Sequence, residues 1–199
     1  MPPMHRPSKA RIRQSFERAA STYDSAAEIQ RHICSHLAAT LPPELEVSRL
    51  LDAGCGTGFA LSLLQTRFPN AQAIALDLAP AMLQRITTPC CSIAGDLEYL
   101  PLASNSLDLY WSSLAVQWCE LPTTLAEAHR VLKYGGRFYC LEFSTTEWPG
   151  FKEAYDIYSH KLVPKLGQMI AGDEESYRYL IESIRRFPTM PEFEGMIRA

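Results

Sequence analysis

The sequence predicts an α/β fold in which helices cover both faces of a parallel sheet. Short apolar strands alternate with helical segments from Arg49 to Ser144, and three glycines fall within five positions of LLDAGCGTGF. Strand, helix and strand at this spacing imply right-handed crossovers and a buried parallel sheet. The glycine cluster lies where the first strand gives way to a helix, which indicates a ligand site at the end of that strand.

Each element has its own pattern. Two helices are predicted over residues 8–41, where apolar residues such as Ile29 and Ile33 recur at helical spacing. Five strands follow, in RLLDAG, AQAIALDL, CCSIAGD, SLDLYWSSLAV and GGRFYCLEFS. The helical segments between them are TGFALSLLQTRF, APAMLQRI and TLAEAHRVLK. After Ser144 only helical patterns occur, so we expect the sheet to end at its fifth strand.

This order predicts one domain over residues 1–199. It consists of N-terminal helices over residues 8–43, a ligand-binding core over residues 48–144 and a helical cap over residues 145–199.

Composition narrows the class of protein. A chain of 199 residues that is 47% hydrophobic can bury the core of one globular domain. A net charge of -3 and a pI near 6.0 argue against a nucleic-acid or anionic-membrane surface. No apolar stretch resembles a signal peptide or a membrane span, so we expect a cytoplasmic protein. The six cysteines lack zinc-ligand spacing, which predicts reduced structural thiols and no metal site.

Three acidic residues surround the predicted ligand site. Asp52 precedes the glycine loop and can face a ligand ammonium, while Asp77 closes the second strand and can accept hydrogen bonds from ribose hydroxyls. Asp96 closes the third strand and can accept a hydrogen bond from the exocyclic amine of adenine. Three carboxylates suit a cationic nucleoside without phosphate and repel a pyrophosphate, which favours S-adenosylmethionine over NAD. An NAD-dependent dehydrogenase and a non-catalytic domain are the alternatives.

Residues 49–144 resemble the class I S-adenosylmethionine-dependent methyltransferases, because LLDAGCGTG, ALDLAPAML, AGDLEYLPLASNSLDL and EAHRVLKYGGRF stand in that family's order. The resemblance implies a Rossmann-like fold, S-adenosylmethionine as methyl donor and S-adenosylhomocysteine as product. It implies that the glycines shape the loop beside the methionine moiety, that Asp77 holds the ribose, and that Asp96 with Leu97 frames the adenine. The implied cofactor-binding residues are Asp52, Gly54, Cys55, Gly56, Gly58, Asp77, Leu78, Met82, Asp96, Leu97 and Leu114.

Two stretches indicate a carboxyl acceptor. SFERAASTYDSAAEIQRHI and YWSSLAVQWC resemble the biotin-pathway O-methyltransferases that esterify the free carboxyl of malonyl carrier protein. The resemblance implies that Gln117 and Trp118 form the acceptor loop and that Tyr23 donates a hydrogen bond to the malonyl carboxylate. Structural roles for Tyr23 and Trp118 are the alternative. An acidic carrier protein would meet basic residues such as Arg11, Arg13, Arg18 and Arg31.

The remaining sequence indicates a different acceptor. Residues 130–199, which include RVLKYGGRFYCLEFS, resemble the menaquinone and ubiquinone C-methyltransferases. A quinol acceptor would gain from a general base and would imply peripheral contact with a membrane. Candidate bases for a quinol are Asp156, Tyr158 and His160. For the carboxyl acceptor, the residues that could hold the malonyl carboxylate by charge are Arg178, Arg185 and Arg186. We prefer the carboxyl acceptor because the N-terminal region and the acceptor loop agree, and we keep the quinol carbon as the alternative.

Overall fold

A five-stranded parallel sheet organises the computed structural model, which describes residues 7–143 and 183–198. The strands are β1 (Arg49–Ala53), β2 (Gln72–Asp77), β3 (Cys91–Ala94), β4 (Leu107–Ser113) and β5 (Leu132–Leu141). They lie in the order β3-β2-β1-β4-β5, and every pair is parallel. The strand order reverses at β1, so the carboxyl ends of β1 and β4 form the crevice in which such sheets bind ligands.

Helices connect the strands and precede them. They are α1 (Lys9–Ala19), α2 (Tyr23–Ala26), α3 (Glu28–Ala39), α4 (Phe59–Arg67), α5 (Pro80–Leu83), α6 (Leu121–Val131) and α7 (Met190–Arg198). A 3₁₀ turn covers Val116–Trp118. None of these described helices is long and apolar enough to cross a membrane.

The chain divides into two compact units. One comprises residues 16–142, and the other comprises residues 1–15 together with residues 143–199. The first unit contains the whole sheet and every predicted cofactor-binding residue. Of the predicted cap, the structure describes only helical residues 183–186 and the segment that ends with α7. Asp156, Tyr158, His160 and Arg178 lie outside the described residues.

The central strands are buried on both faces, which confirms the predicted sheet. Successive residues of a strand point to opposite faces, so one face of the sheet receives Leu50 and Trp111 and the other receives Leu51 and Tyr110. All four side chains are fully buried. Strands covered on both sides are apolar throughout rather than alternating with polar residues, and this is the pattern that the sequence displays. All six cysteines are free thiols, as predicted.

The N-terminal helices differ from the prediction in number and in the exposure of Ile29, whereas Ile33 is half-buried. Three helices stand where two were predicted, and Ile29 on α3 is 75% exposed. The buried residues near this helix are instead Ala27 and Cys34, at 5% and 3% exposure. More than one face of α3 carries apolar residues at helical spacing, and packing against the neighbouring elements determines which face is buried.

Strand β5 begins earlier than predicted, because two glycines lie inside it rather than at its start. Leu132 pairs with Leu107, the register then shifts, and pairing continues from Arg137. Gly135 has φ +78°, and a Cβ at Gly136 would lie 2.9 Å from the carbonyl oxygen of Lys133. The positive φ at Gly135 favours glycine, and the close carbonyl leaves no room for a side chain at Gly136, so the pair marks a bulge within the strand.

Candidate active site

The glycine turn after β1 has a conformation that other residues adopt only with strain. Gly54, Gly56 and Gly58 have φ angles of +73°, +53° and +85°. Gly54 also has no room for a side chain, because an ideal Cβ there would lie 2.2 Å from Cβ of Ala115. The predicted need for glycine thus has two causes, the left-handed backbone and the close approach of the loop that follows β4.

A cavity of about 60 Å³ lies beside this turn. Asp52, at the carboxyl end of β1, lines it together with Gly54, Gly56 and Leu114. Asp52 is 1% exposed, and its Oδ2 atom has no hydrogen-bond partner in the described part of the chain. A buried carboxylate oxygen without a partner is costly, so this position favours a ligand that donates hydrogen bonds.

Asp77 ends the neighbouring strand and is oriented by main-chain donors. Its Oδ2 accepts from the N–H of Gly56 at 2.9 Å, and its Oδ1 accepts from the N–H of Ala79 at 2.8 Å. A carboxylate has about four lone-pair sites, so Asp77 keeps acceptor capacity for a ligand. Burial raises the pKa of Asp77, against the lowering effect of these N–H groups.

The two carboxylates also act on each other. Burial, and then the charge of Asp77, raise the pKa of Asp52 to about 7. Like charges at neighbouring strand ends oppose joint ionisation, whereas a cation between them would favour it. The electrostatics of the site therefore suit a cationic ligand.

The loop after β3 reaches the same crevice. Leu97 is 7% exposed, and its Cδ1 lies 3.7 Å from the position of a Cβ at Gly54. The Oδ1 atom of Asp96 accepts from the N–H of Glu98 at 3.1 Å, which holds the half-buried carboxyl in a turn. Leu97 thus lies beside the glycine turn, with Asp96 adjacent to it in the chain, and the role of both residues in framing a base stays a prediction.

The other predicted cofactor residues lie around the same turn. Leu78 follows Asp77 and is half-buried, and Cys55 is a buried part of the cavity wall. Met82 is fully buried in a small cluster with Ala20 and Ala79. Its position indicates that it supports the N-terminal helices as well as the loop after β2.

An aromatic wall joins the N-terminal helices to the predicted acceptor loop. The ring of Phe16 lies 6.4 Å from that of Tyr23 and 5.5 Å from that of Trp118, in edge-to-face geometry. Burial, and then the charges of Asp77 and Asp24, raise the pKa of Tyr23, so its hydroxyl stays protonated as a donor. The wall therefore brings together two of the three predicted catalytic residues through Phe16, which sequence reasoning missed.

Gln117, the third of these residues, belongs to the 3₁₀ turn beside the wall. It is 7% exposed, and its Nε2 donates to the carbonyl oxygen of Leu114 at 3.3 Å. Leu114 has φ +58°, an uncommon conformation for a leucine, and its N–H donates to the carbonyl oxygen of Leu141 at 2.8 Å. Glu142 accepts from the N–H of Val116 at 2.8 Å and so helps to hold the turn. Strain that neighbouring contacts sustain in this way is typical of functional loops.

Asp24 ties the N-terminal helices to the glycine turn. Its Oδ1 accepts from the hydroxyl of Thr57 at 2.6 Å and pairs with Nη2 of Arg31 at 2.7 Å. Arg31 also lies over the ring of Phe59, 5.2 Å from its centroid. Partial burial opposes ionisation of Asp24, but the hydrogen bonds from Thr57 and Arg31 lower its pKa below the ordinary value. We call Asp24, Arg31 and Thr57 the latch.

Sequence reasoning did not assign the latch to the site. The sequence pointed to these residues only by their neighbours, since Asp24 follows Tyr23 and Thr57 stands between two of the glycines. Arg31, which we expected to meet a carrier protein, is engaged with Asp24 in this structure.

A parallel sheet with a glycine turn after β1 and carboxylates ending β1 and β2 is the architecture of the Rossmann-like methyltransferases. The ubiE/COQ5 methyltransferase family matches residues 4–199. The chain therefore belongs to the ubiE/COQ5 methyltransferase family.

The chain is similar in sequence to two kinds of methyltransferase. A malonyl-[acyl-carrier protein] O-methyltransferase of Dechloromonas aromatica is 60% identical over 78% of the chain and 60% of its own length. A ubiquinone/menaquinone biosynthesis C-methyltransferase UbiE of Methylobacterium nodulans is 40% identical over 95% of the chain and 81% of its own length. The chain thus spans about three fifths of the first relative and about four fifths of the second.

Solved structures share the fold. An S-adenosylmethionine-dependent methyltransferase of Thermotoga maritima aligns with 94% of the chain and 79% of its own, with a TM-score of 0.66 and 19% identity. The protein described as a methyltransferase in complex with the Haloferax volcanii Trm112 activator aligns with a TM-score of 0.67 and 26% identity. That alignment covers 92% of this chain and 74% of the other.

If the latch holds the N-terminal helices, its loss should increase amide exchange in them. Thr57→Val removes the hydroxyl that donates to Asp24 and keeps the shape of the side chain. Loss of a hydrogen bond to a charged group should speed amide exchange in α2 and α3 by about tenfold. Hydrogen-exchange mass spectrometry measures this, and Thr57→Ser, which keeps the hydroxyl, is the matched control. Unchanged exchange in Thr57→Val would contradict the role of the latch.

The pKa of Asp52 predicts how stability depends on pH. The folded protein holds a proton on Asp52 up to about pH 7, whereas the unfolded chain releases it near the ordinary value of 3.8. The folded state therefore binds more protons between these values, and without added ligand the free energy of unfolding should fall by about 1 kcal/mol per pH unit as pH rises through this interval.

Urea unfolding between pH 5 and pH 7 measures this slope. Asp52→Asn should reduce it and leave the smaller contribution of Asp77, whose pKa burial also raises. Asp108→Asn is the control. Partial burial opposes ionisation of Asp108, but hydrogen bonds from Lys133 and from the N–H groups of Arg49 and Ser48 lower its pKa below the ordinary value. Loss of Asp108 should therefore change the stability at a lower pH than this interval. An equal slope in Asp52→Asn and the wild type would refute the assignment.

Proposed function

We propose that this protein is an S-adenosylmethionine-dependent methyltransferase that esterifies the free carboxyl of malonyl-acyl carrier protein. The observation that carries the cofactor assignment is the buried carboxylate of Asp52, whose Oδ2 has no partner among the described residues beside the glycine turn. A soluble carrier protein as partner would place the reaction in the cytoplasm.

The residues present fit this cofactor. Asp52 would accept hydrogen bonds from the ammonium of the methionine moiety, and Asp77 offers its remaining lone pairs to the ribose hydroxyls. Asp96 and Leu97 would frame the adenine. The close approach at Gly54 leaves main chain alone to face the ligand there. NAD fits less well, because its pyrophosphate would add negative charge beside two carboxylates.

When bound, S-adenosylmethionine supplies an electrophilic methyl group on a positively charged sulfur. The chain's own residues then have to align the acceptor and exclude water. Tyr23 is protonated at neutral pH, and burial, followed by the charges of Asp77 and Asp24, raises its pKa further. Its hydroxyl would hold the malonyl carboxylate by a hydrogen bond. Phe16 and Trp118 would line the path with apolar surface, while Gln117 maintains the acceptor loop.

A carboxylate acceptor fits these residues because it requires no proton transfer. A malonyl carboxyl, with a pKa of about 4 by analogy with side-chain acids, is ionised at neutral pH. Its charge is lost as the ester forms, and a site of low polarity favours reactions in which opposite charges cancel. The relative of Dechloromonas aromatica with this named activity supports the assignment.

The second candidate is methylation of a quinol carbon. The match to the ubiE/COQ5 family over residues 4–199 and the coverage of the UbiE relative favour it. A quinol would need a general base, and the candidates Asp156, Tyr158 and His160 lie outside the described residues.

Transfer of labelled methyl tests the two acceptors side by side. We expect label from S-adenosylmethionine to enter malonyl-acyl carrier protein and not demethylmenaquinol. Tyr23→Phe should lower kcat/KM by about tenfold, because a hydrogen bond to a charged group is lost. Label entering only demethylmenaquinol would establish the second candidate, and label entering neither would refute both.

The cofactor site is tested by calorimetry with S-adenosylhomocysteine. Gly54→Ala should abolish binding, because the new Cβ would displace the loop at Ala115. Gly135→Ala is the matched control, since Gly135 also has a positive φ but nothing lies within 4 Å of an added Cβ. Gly135→Ala should retain wild-type affinity, and equal affinity in Gly54→Ala would contradict the proposed site.

A further inference from the structure

A second cavity lies next to the candidate active site. It has a volume of about 500 Å³, and its wall combines the start of α4 with the residues that follow α5. We call this cavity, lined by Arg31, Ser62, Gln84, Arg85, Thr87 and Thr88, the outer groove. The latch residues and Phe59 line both this groove and the smaller cavity beside Asp52, so the two are adjacent.

The charge of the outer groove is opposite to that of the cofactor site. The charged side chains that line it are those of Arg31, Arg85 and Asp24. Asp24 is paired with Arg31, at 2.7 Å between Oδ1 and Nη2. Arg85 is exposed and makes no ion pair or side-chain hydrogen bond with the described residues, although its charge also helps to lower the pKa of Asp24. One full positive charge is therefore available to a ligand.

The outer groove offers several hydrogen-bond donors besides its charge. Arg85 offers the donors of its guanidinium, Gln84 an amide N–H₂, and Thr87 and Thr88 their hydroxyls. A planar guanidinium together with neutral donors suits an anion with several acceptor oxygens, and phosphate groups have this character.

We propose that the outer groove binds the phosphodiester of the pantetheine arm on which the carrier protein holds the malonyl group. This inference rests on the proposed function, because that arm carries both the reacting carboxylate and a phosphodiester. The phosphodiester in the basic groove and the cationic donor beside Asp52 and Asp77 would each meet complementary charge. A quinol carries no such group and would leave the groove without this ligand.

The experiment compares two acceptors that differ by one phosphate, malonyl-4′-phosphopantetheine and malonyl-pantetheine. Arg85→Ala should lower kcat/KM for the phosphorylated acceptor by about tenfold, mainly through KM. With malonyl-pantetheine, Arg85→Ala should match the wild type. Arg137→Ala is the control, since Arg137 is an exposed arginine on β5 that does not line the groove. Equal effects of Arg85→Ala on both acceptors, or no effect on either, would overturn the proposal.

Direct binding separates this inference from the proposed function. In calorimetry, 4′-phosphopantetheine is titrated into the protein saturated with S-adenosylhomocysteine. Heat that is present in the wild type and in Arg137→Ala but absent in Arg85→Ala supports the groove, even if no malonyl thioester is methylated and the proposed acceptor is wrong. Absence of heat in the wild type, while S-adenosylhomocysteine still binds, would refute the groove alone.

Discussion

The close approach of the Ala115 side chain to the main chain at Gly54 is the constraint on which the rest of the site depends. A Cβ at this position would overlap that of Ala115, so the turn after β1 and the loop after β4 can share one crevice only without a side chain there. The left-handed Leu114 belongs to the same fit, because it turns the chain out of β4 toward Ala115. The sheet places the strand ends at one edge, and the contact between Gly54 and Ala115 brings the loops after β1 and β4 together there.

Charge is distributed unevenly around that crevice. Asp52, which is 1% exposed, and the half-buried Asp77 make the crevice acidic, and the outer groove presents Arg85 beyond the glycine turn. The latch lies between them and pairs Asp24 with Arg31 and Thr57. An enzyme that joins a cationic donor to an anionic acceptor needs both environments close together, because each reactant is then held by charge opposite to its own.

Local patterns in the sequence were sufficient to predict the sheet, the glycine turn and the carboxylates that end β1 and β2. These features depend on short stretches of chain, since an apolar run followed by glycines specifies a buried strand and the turn at its end. The identity of Asp52 and Asp77 as site residues follows from the parallel topology, which brings consecutive strand ends to one edge. The pattern was less informative for α3, where two faces have helical spacing and the apolar Ile29 is exposed.

Residue types and their order along the chain thus determined the α/β class, the glycine requirement and the acidic character of the site. Only the tertiary structure decided that Thr57 donates to Asp24, that Phe16 links Tyr23 to Trp118, and that Gly135 and Gly136 form a bulge. The physical reason is sequence separation. Thr57 and Asp24 are 33 residues apart, and contacts between distant segments depend on how whole elements pack rather than on any local preference.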